Sequence, residues 1–474
     1  MAAPQTTDRI ITNSQINFGT SGARGLVEQF TDDACAAFTV AFLGQMQSRF
    51  QFQRVAIAID RRPSSPQMAA ACAGAAQALG LEVDYYGILP TPTLALQAMS
   101  DGIPAIMITG SHIPFDRNGI KFYRPDGEIS KADEAGILDA DQPLPHYQPA
   151  LPEASPQART HYIQRYTSLH EPDALKGQRI GLYEHSAAGR DINREILEAL
   201  GAEVVSLGRT DEFVPIDTEA VSETDRAQAR EWAKTHHLDA IISTDGDGDR
   251  PLVADENGEW LNGDILGLLC ARSLGIEAIA TPVSCNTAIE LSGAFRKVSR
   301  TRIGSPHVIE AMGHLAQEYK TVAGFEANGG FLLETTLQIG SRTLRGLPTR
   351  DAVLPALTVL AEGTSQNNPL SQLLEDLPNR YTASDRIQNF PPQESRALIH
   401  QWENDPGSLS EKLELGSPIK LIDTTDGLRA TLSNGWIIHF RPSGNAPELR
   451  CYCEAETIEA TQTLLRKLLH VQNS

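Results

Sequence analysis

From residue 54 to residue 108 the chain alternates short β-branched runs with helix-forming segments, and that rhythm leaves few folds open. RVAIAID (54–60) is apolar at successive positions, as a strand covered on both faces must be. SPQMAAACAGAAQALG follows as a helix of small residues, with Pro66 near its start and Gly80 at its end. LEVDYYGI then reads as a strand, TPTLALQAMS as a helix and AIMITG as a third strand. Such a βαβαβ series builds a parallel sheet with helices packed over it. The third strand runs into Thr109-Gly110-Ser111-His112 and a polar loop carrying Asp116, Arg117, Asn118, Gly119 and Lys121. Ser111 is expected to be exposed, at the strand end where open α/β sheets collect ligands.

The same grammar returns twice. RIGLYEHS, GRDINREILEALG, AEVVSLG and LDAIISTDGDGDR read as strand, helix, strand and strand. GDILGLLCARSLG, AIATPVS, HVIEAMGHLAQEY and TVAGFEANGGF read as helix, strand, helix and strand. The last hundred residues change character. LRATLSNGWIIHFRPS is a hairpin turning at Ser433-Asn434-Gly435, ELRCYCEA a further strand, and TIEATQTLLRKLLHV a closing helix, so this part is α+β and antiparallel. PLPHYQPALPEASP (143–156), with five prolines in fourteen residues, reads as a linker. The expected fold class is α/β: three α/β domains with mixed, mostly parallel sheets and a C-terminal α+β domain. Their expected bounds are 1–148, 157–255, 256–366 and 374–474.

Composition narrows the functional classes. With 41% hydrophobic and 21% charged residues over 474 positions, the chain can bury several cores and is not disordered. The apolar stretch LGLLCARSLGIEAIATPV is broken by Arg272 and Glu277, short of the ~20 apolar residues a membrane span needs. The polar opening MAAPQTTDRIITNSQ gives no expectation of a secretory signal. Six cysteines are too sparse for a disulfide framework, and Cys451 and Cys453 fall on one face of a strand, as structural residues do. A net charge of −20 repels nucleic acid and anionic membranes, so an anionic substrate would need a concentrated basic pocket.

STDGDGDR (243–250) carries the strongest chemistry. Asp245, Asp247 and Asp249 alternate with Gly246 and Gly248 directly after an apolar strand. Glycine permits tight turns, so the three carboxylates can converge, and carboxylates that close repel unless a hard cation neutralises them. Oxygen donors without His or Cys favour Mg²⁺ over zinc. Arg250 stands where a calcium loop needs glycine, and a strand rather than a helix precedes the loop; a solvated acidic turn is the plainer alternative. FRPSGNAPELR (440–450) offers Arg441, Ser443, Gly444, Asn445 and Arg450, a set that can wrap a phosphate or lie solvated as an ordinary turn. GFEANGG (324–330) places Glu326 and Asn328 in a glycine-rich loop suited to hydroxyl recognition, although a plain polar turn looks the same. FGTSGARG (18–25) surrounds Arg24 with small residues and is neither a Walker A sequence nor a dinucleotide fingerprint. Ser111 lies outside any G-x-S-x-G elbow, which disfavours acyl-transfer hydrolysis; His112 beside it is a candidate base or a packed loop residue.

Taken together, these segments resemble the α-D-phosphohexomutase superfamily over essentially the whole chain, and most closely its phosphomannomutase/phosphoglucomutase group. The resemblance rests on Gly19-Thr20-Ser21-Gly22 with Arg24, Thr109-Gly110-Ser111-His112, Asn118-Gly119-x-Lys121, Asp245-x-Asp247-x-Asp249-Arg250, Glu326 and Arg441-Pro442-Ser443-Gly444. It implies four domains around a central cleft and a cytoplasmic enzyme, monomer or weak homodimer, acting on a hexose monophosphate. It implies that Ser111 is phosphorylated at rest and, with Asp245, Asp247 and Asp249, ligates Mg²⁺. The phosphoryl group would pass to the sugar to give a hexose 1,6-bisphosphate, whose other phosphate returns to the serine. Arg24 and Lys121 would steady charge and assist proton transfer at the transferring phosphate, Arg250 would contact the intermediate, Glu326 and Asn328 the sugar hydroxyls, and Arg441, Ser443, Gly444 and Asn445 the phosphate that is not reacting.

The chain also departs from the superfamily's pattern. Gly110 and Ile113 replace the usual Ala and Asn, Asn445-Ala446 replace Thr-Glu, and Asn328-Gly329-Gly330 replace a Ser-Gly-His that would add a polar contact to the sugar. Mannose is the expected sugar, with glucose the alternative; Ser21, where the phosphoglucosamine type carries Asp, argues against that third type. A metal-dependent phosphatase using Ser111, or a silent sugar-phosphate sensor, are the readings from other classes.

Overall fold

The computed structural model describes residues 6–19, 22–443 and 447–473. They group into two compact units: the residues up to Gly275 with Asn328–Leu373, and Ile276–Ala327 with the residues from Leu374 on.

The first unit contains the expected parallel core. Arg54–Ile59 pairs in parallel with Glu82–Ile88 on one side and Ala105–Ile108 on the other. The helices between them are Ser65–Ala78, with Pro66 in its first turn, and Thr91–Asp101, with Pro92 in its first turn. The sheet then turns antiparallel. Arg117–Arg124 pairs with Ala105–Ile108, Ala23–Leu26 pairs with Arg117–Arg124, and Asn17–Phe18 forms the edge. Residues 117–121 are therefore strand and not the expected loop. Their polar side chains hid the pattern because Asn118 and Lys121 are buried by polar and charged partners, at 0% and 4% exposure, rather than solvated.

A second sheet orders Pro251–Ala254, Ala240–Thr244, Arg179–Tyr183 and Glu203–Leu207; only the first pair is antiparallel. The proline-rich stretch behaves as an ordered strap. Ala150 donates its N–H to Ala70 O and Ser155 to Tyr85 O, at 3.2 and 2.8 Å, across the helix and strand it follows. Prolines cannot donate, so the few remaining amides fix its path.

In the second unit Lys297–Thr301, Ala278–Pro282 and Val322–Phe325 run parallel. The C-terminal sheet is wholly antiparallel, ordered Tyr381–Gln388, Glu448–Ala455, Ile437–Pro442, Leu428–Leu432 and Ile419–Asp423. The helices Pro392–Asn404 and Ile458–Leu469 cover it, and Trp402 packs 4.9 Å, ring to ring, from Phe440. All six cysteines are free and buried, as the strand alternation of Cys451 and Cys453 implies. Among the described residues no helix is long and apolar enough to cross a membrane.

Trp402 is 1% exposed at the centre of the C-terminal core. Trp402→Ala is expected to lower stability by about 3–5 kcal/mol, measured by urea denaturation; a loss under about 1 kcal/mol contradicts the packing described.

Candidate active site

The strand Ala240–Thr244 delivers Asp245 at its end, and a turn brings Asp247 and Asp249 beside it. All three are at most 1% exposed, and one carboxylate oxygen of each lies within 4.8 Å of the others. Of the two glycines expected to shape this turn, Gly248 takes the left-handed region at φ +69°, while Gly246 does not. Asp245 Oδ1 accepts from the N–H groups of Asp249 and Arg250, which closes the turn. Thr91, at the first turn of its helix, donates Oγ1 to Asp247 Oδ2 at 2.7 Å and its N–H to Asp247 O at 2.8 Å.

Ser111 meets this triad directly, its Oγ donating to Asp245 Oδ2 at 2.7 Å. The serine is 1% exposed and not open at the surface as expected, because the triad itself covers it. Lys121 Nζ lies 2.6 Å from Asp247 Oδ2 and 2.7 Å from Asp249 Oδ2. Arg250 Nε lies 3.7 Å from Asp249 Oδ1, and its Nη1 reaches His112 Nδ1 at 3.0 Å. His112 Nδ1 is also 3.3 Å from Ser111 Oγ. Arg24 Nη1 donates to Gly110 O at 3.4 Å. Ser111, His112, Arg24, Lys121, Arg250 and the three aspartates are thus brought together.

Charge explains the arrangement. Burial, then the negative neighbours Asp247 and Asp249, pushes the Asp245 carboxyl well above the usual range. Burial also raises Asp247, but the Lys121 charge together with the hydrogen bonds from Lys121 and Thr91 outweighs it and leaves that carboxyl far below the usual range. Asp249 is lowered as well, burial being offset by Arg350 and Lys121. The negative charge is therefore held chiefly by Asp247 and Asp249, and Asp245, beside the serine, is the member of the triad whose charged form is least compensated. Among the described residues, Asp247 Oδ1 and Asp249 Oδ1 are buried acceptors without a hydrogen-bond partner. A compact, oxygen-only donor set with two orphaned acceptors fits a hard divalent cation. Burial, then Arg250 and Arg24, drops the His112 imidazole to about 3, so it is neutral around pH 7 and its Nδ1 accepts from Arg250. Burial and Arg250 lower Arg24 to about 10, which leaves it charged at neutral pH.

Asn328 lies in the same unit, where Thr218 Oγ1 donates to its carbonyl at 2.9 Å and its Oδ1 accepts from Gly330 N at 3.0 Å. Glu326 and Arg441 belong to the second unit. Glu326 is 4% exposed. Arg441 Nε lies 2.9 Å from Asp426 Oδ2, which also accepts from Ile303 N, and the two residues line a cleft with Arg396, His400 and Gly427. Ser443 is buried and donates its N–H to Glu448 O at 2.9 Å. Gly444 and Asn445 lie outside the described residues, as do Thr20 and Ser21.

Several site residues escaped the sequence reading. Thr91 gave no signal there. Asp60 ends the strand RVAIAID, the position where α/β sheets place ligand contacts, so it was within reach of that rule. Arg350 was not, since only tertiary structure brings the strand Leu347–Asp351 to the aspartate loop. Its Nε donates to Asp249 Oδ2 at 3.3 Å, and it is 3% exposed. Its stem fills the space over Gly330, where an added Cβ would stand 2.5 Å from Arg350 Cδ. The glycine in place of the usual loop histidine thereby admits an arginine from another strand.

A serine hydroxyl set on a buried aspartate triad, ringed by Arg24, Lys121, Arg250 and Arg350, defines an enzyme that moves phosphoryl groups. The chain matches the phosphoglucomutase/phosphomannomutase family descriptions throughout: alpha/beta/alpha domain I over residues 15–142, domain II over 160–258, domain III over 262–381 and the C-terminal domain over 383–470. It is 54% identical over 463 residues to a phosphomannomutase of Salmonella muenchen, covering 97% of this chain and 96% of that one. A phosphomannomutase of Sinorhizobium fredii is 43% identical, with 96% and 98% covered. The crystal structure of a putative phosphomannomutase from Thermus thermophilus shares the fold with a TM-score of 0.79, at 20% identity and 97% and 99% coverage. The chain belongs to the phosphoglucomutase/phosphomannomutase family and is an isomerase of the phosphotransferase type.

Arg350 holds Asp249, and its charge would oppose a divalent cation bound in the triad. Arg350→Met is expected to tighten Mg²⁺ binding by about three- to tenfold, read by calorimetry, and to slow turnover; weaker Mg²⁺ binding contradicts this electrostatic account.

Proposed function

We propose that the enzyme interconverts mannose 6-phosphate and mannose 1-phosphate through a phosphorylated Ser111 and a mannose 1,6-bisphosphate intermediate. The hydrogen bond from Ser111 to Asp245 carries the chemical part of this reading, since it sets the nucleophile on the carboxylate cluster at 2.7 Å. The sugar rests on the two relatives known as phosphomannomutases.

In this reading Asp245, Asp247, Asp249 and the Ser111 oxygen hold Mg²⁺. The chemistry that ion supplies when bound is neutralisation of charge on the transferring phosphoryl group. The phosphorus–oxygen bond at Ser111 Oγ breaks as one forms to the free hydroxyl of the sugar monophosphate. That hydroxyl gives up its proton to a base as the new bond forms, while His112, whose Nδ1 accepts from Arg250 and lies 3.3 Å from Ser111 Oγ, stands beside the leaving oxygen. Arg24, Lys121 and Arg250 stabilise the charge that spreads over the phosphoryl oxygens. The bisphosphate then turns, and its other phosphate returns to the serine oxygen, leaving the isomer. Arg441, Ser443, Gly444 and Asn445 hold the phosphate that is not reacting, while Glu326 and Asn328 read the sugar hydroxyls. The burial of Ser111 favours transfer to the sugar over transfer to water. We read the chain as four domains, 1–148, 157–255, 256–366 and 374–474, and the enzyme as cytoplasmic, a monomer or weak homodimer.

Intact mass should reveal a phosphoryl adduct of about 80 Da on Ser111. With Mg²⁺ and a hexose 1,6-bisphosphate, mannose 1-phosphate should be isomerised with higher kcat/KM than glucose 1-phosphate. Ser111→Ala should abolish both the adduct and turnover. Release of free phosphate without isomerisation would instead make the protein a phosphatase. Arg441→Ala should raise KM by about tenfold or more, as loss of a charge-assisted contact of about 1.5–3 kcal/mol implies; an unchanged KM removes Arg441 from the phosphate site.

A further inference from the structure

Ser111 stands at φ +52°, in the left-handed region that a residue with a side chain occupies only when its surroundings hold it there. The surroundings in question are a buried ion pair that the phosphoryl chemistry does not use. Arg62 and Asp60, both 2% exposed, lie at the end of the strand Arg54–Ile59, with Arg62 Nε 3.3 Å from Asp60 Oδ2. Arg62 Nη2 donates to Ser111 O at 3.1 Å and to Ile113 O at 2.5 Å. Arg62 Nη1 donates to Pro114 O and Arg117 O, each at 2.8 Å. One guanidinium thus gathers four carbonyls of the nucleophile loop. Asp60 takes the amide side, accepting Gly110 N at 3.2 Å through Oδ2 and both Arg62 N and Ser65 Oγ through Oδ1. Ser111 N is itself held by Thr109 Oγ1 at 2.8 Å.

We propose that Arg62, braced by Asp60, is the positioning residue that sets Ser111 in its left-handed conformation and aims its oxygen at the aspartate triad. The proposal rests on the reading of Ser111 as the phosphoryl carrier. The seat is close: a Cβ at Gly110 would fall 2.3 Å from Arg62 Cζ. The guanidinium carbon also lies over the Phe213 ring, 4.1 Å from its centroid. A Cβ built on Gly246, in the metal loop, would come 2.8 Å from Ser111 O and 3.5 Å from Phe213. Arg62 and the loop of Gly246 therefore both lie against the same carbonyl, which ties the position of the serine to that of the triad. A planar guanidinium can donate to four carbonyls through its two Nη groups while its charge pairs with a carboxylate; a lysine, with three donors on one atom, cannot.

The test compares wild type, Arg62→Lys and the double variant Asp60→Asn/Arg62→Met, which leaves no charge buried unpaired and so protects the fold. Steady-state isomerisation is measured per folded molecule, together with release of inorganic phosphate from the isolated phosphoenzyme. Both variants are expected to lose about 10- to 100-fold in kcat with KM changed by less than about threefold. Phosphate loss to water is expected to rise severalfold, a change that lower stability alone does not produce. Variants whose folded fraction keeps wild-type kcat and wild-type phosphate retention overturn the proposal. A wild type with neither phosphoserine nor isomerase activity refutes the mutase reading instead, so the two failures are told apart.

Discussion

Three aspartates buried within 4.8 Å of one another are an arrangement that folding alone opposes, and the first unit is organised around answering it. Carboxylates so placed repel and lose their hydration, so each must find a cation or a donor. Lys121 answers Asp247 and Asp249, Arg350 a second time Asp249, Thr91 Asp247, and Ser111 Asp245. These partners come from four separate stretches of chain. The same charge that makes the triad costly to bury draws together the groups that phosphoryl transfer needs.

Ser111 is held by a second buried pair. Asp60 and Arg62 hold the amide and carbonyl sides of the loop from Gly110 to Arg117. The triad provides the charge and the pair provides the alignment, and both act on Ser111. Phosphoryl transfer asks little else of a protein than alignment and cationic stabilisation. The strand ends where these residues sit are the sheet positions from which side chains leave the core for chemistry.

Much of this was legible in the chain. Periodicity alone marks the strands at 54, 82 and 105 and the hairpin at 433–435, because buried strands and glycine turns leave local signatures. The polar run 116–121 misleads for a physical reason: Asn118 and Lys121 are buried by their partners and not by their own apolarity. Ser111 misleads in the same way, being covered by carboxylates that arrive from more than a hundred residues away.

The sequence by itself determined the α/β and antiparallel segments, the acidic loop that calls for a cation, and the serine at a strand end, since all of these depend on neighbours within a few residues. Tertiary structure alone decided that Arg350 would fill the space over Gly330 and reach Asp249, that Thr91 would donate to Asp247, and that Arg62 would grip the loop that carries Ser111. Those are matters of distance between remote segments, and electrostatic need does not specify which remote cation or donor meets it.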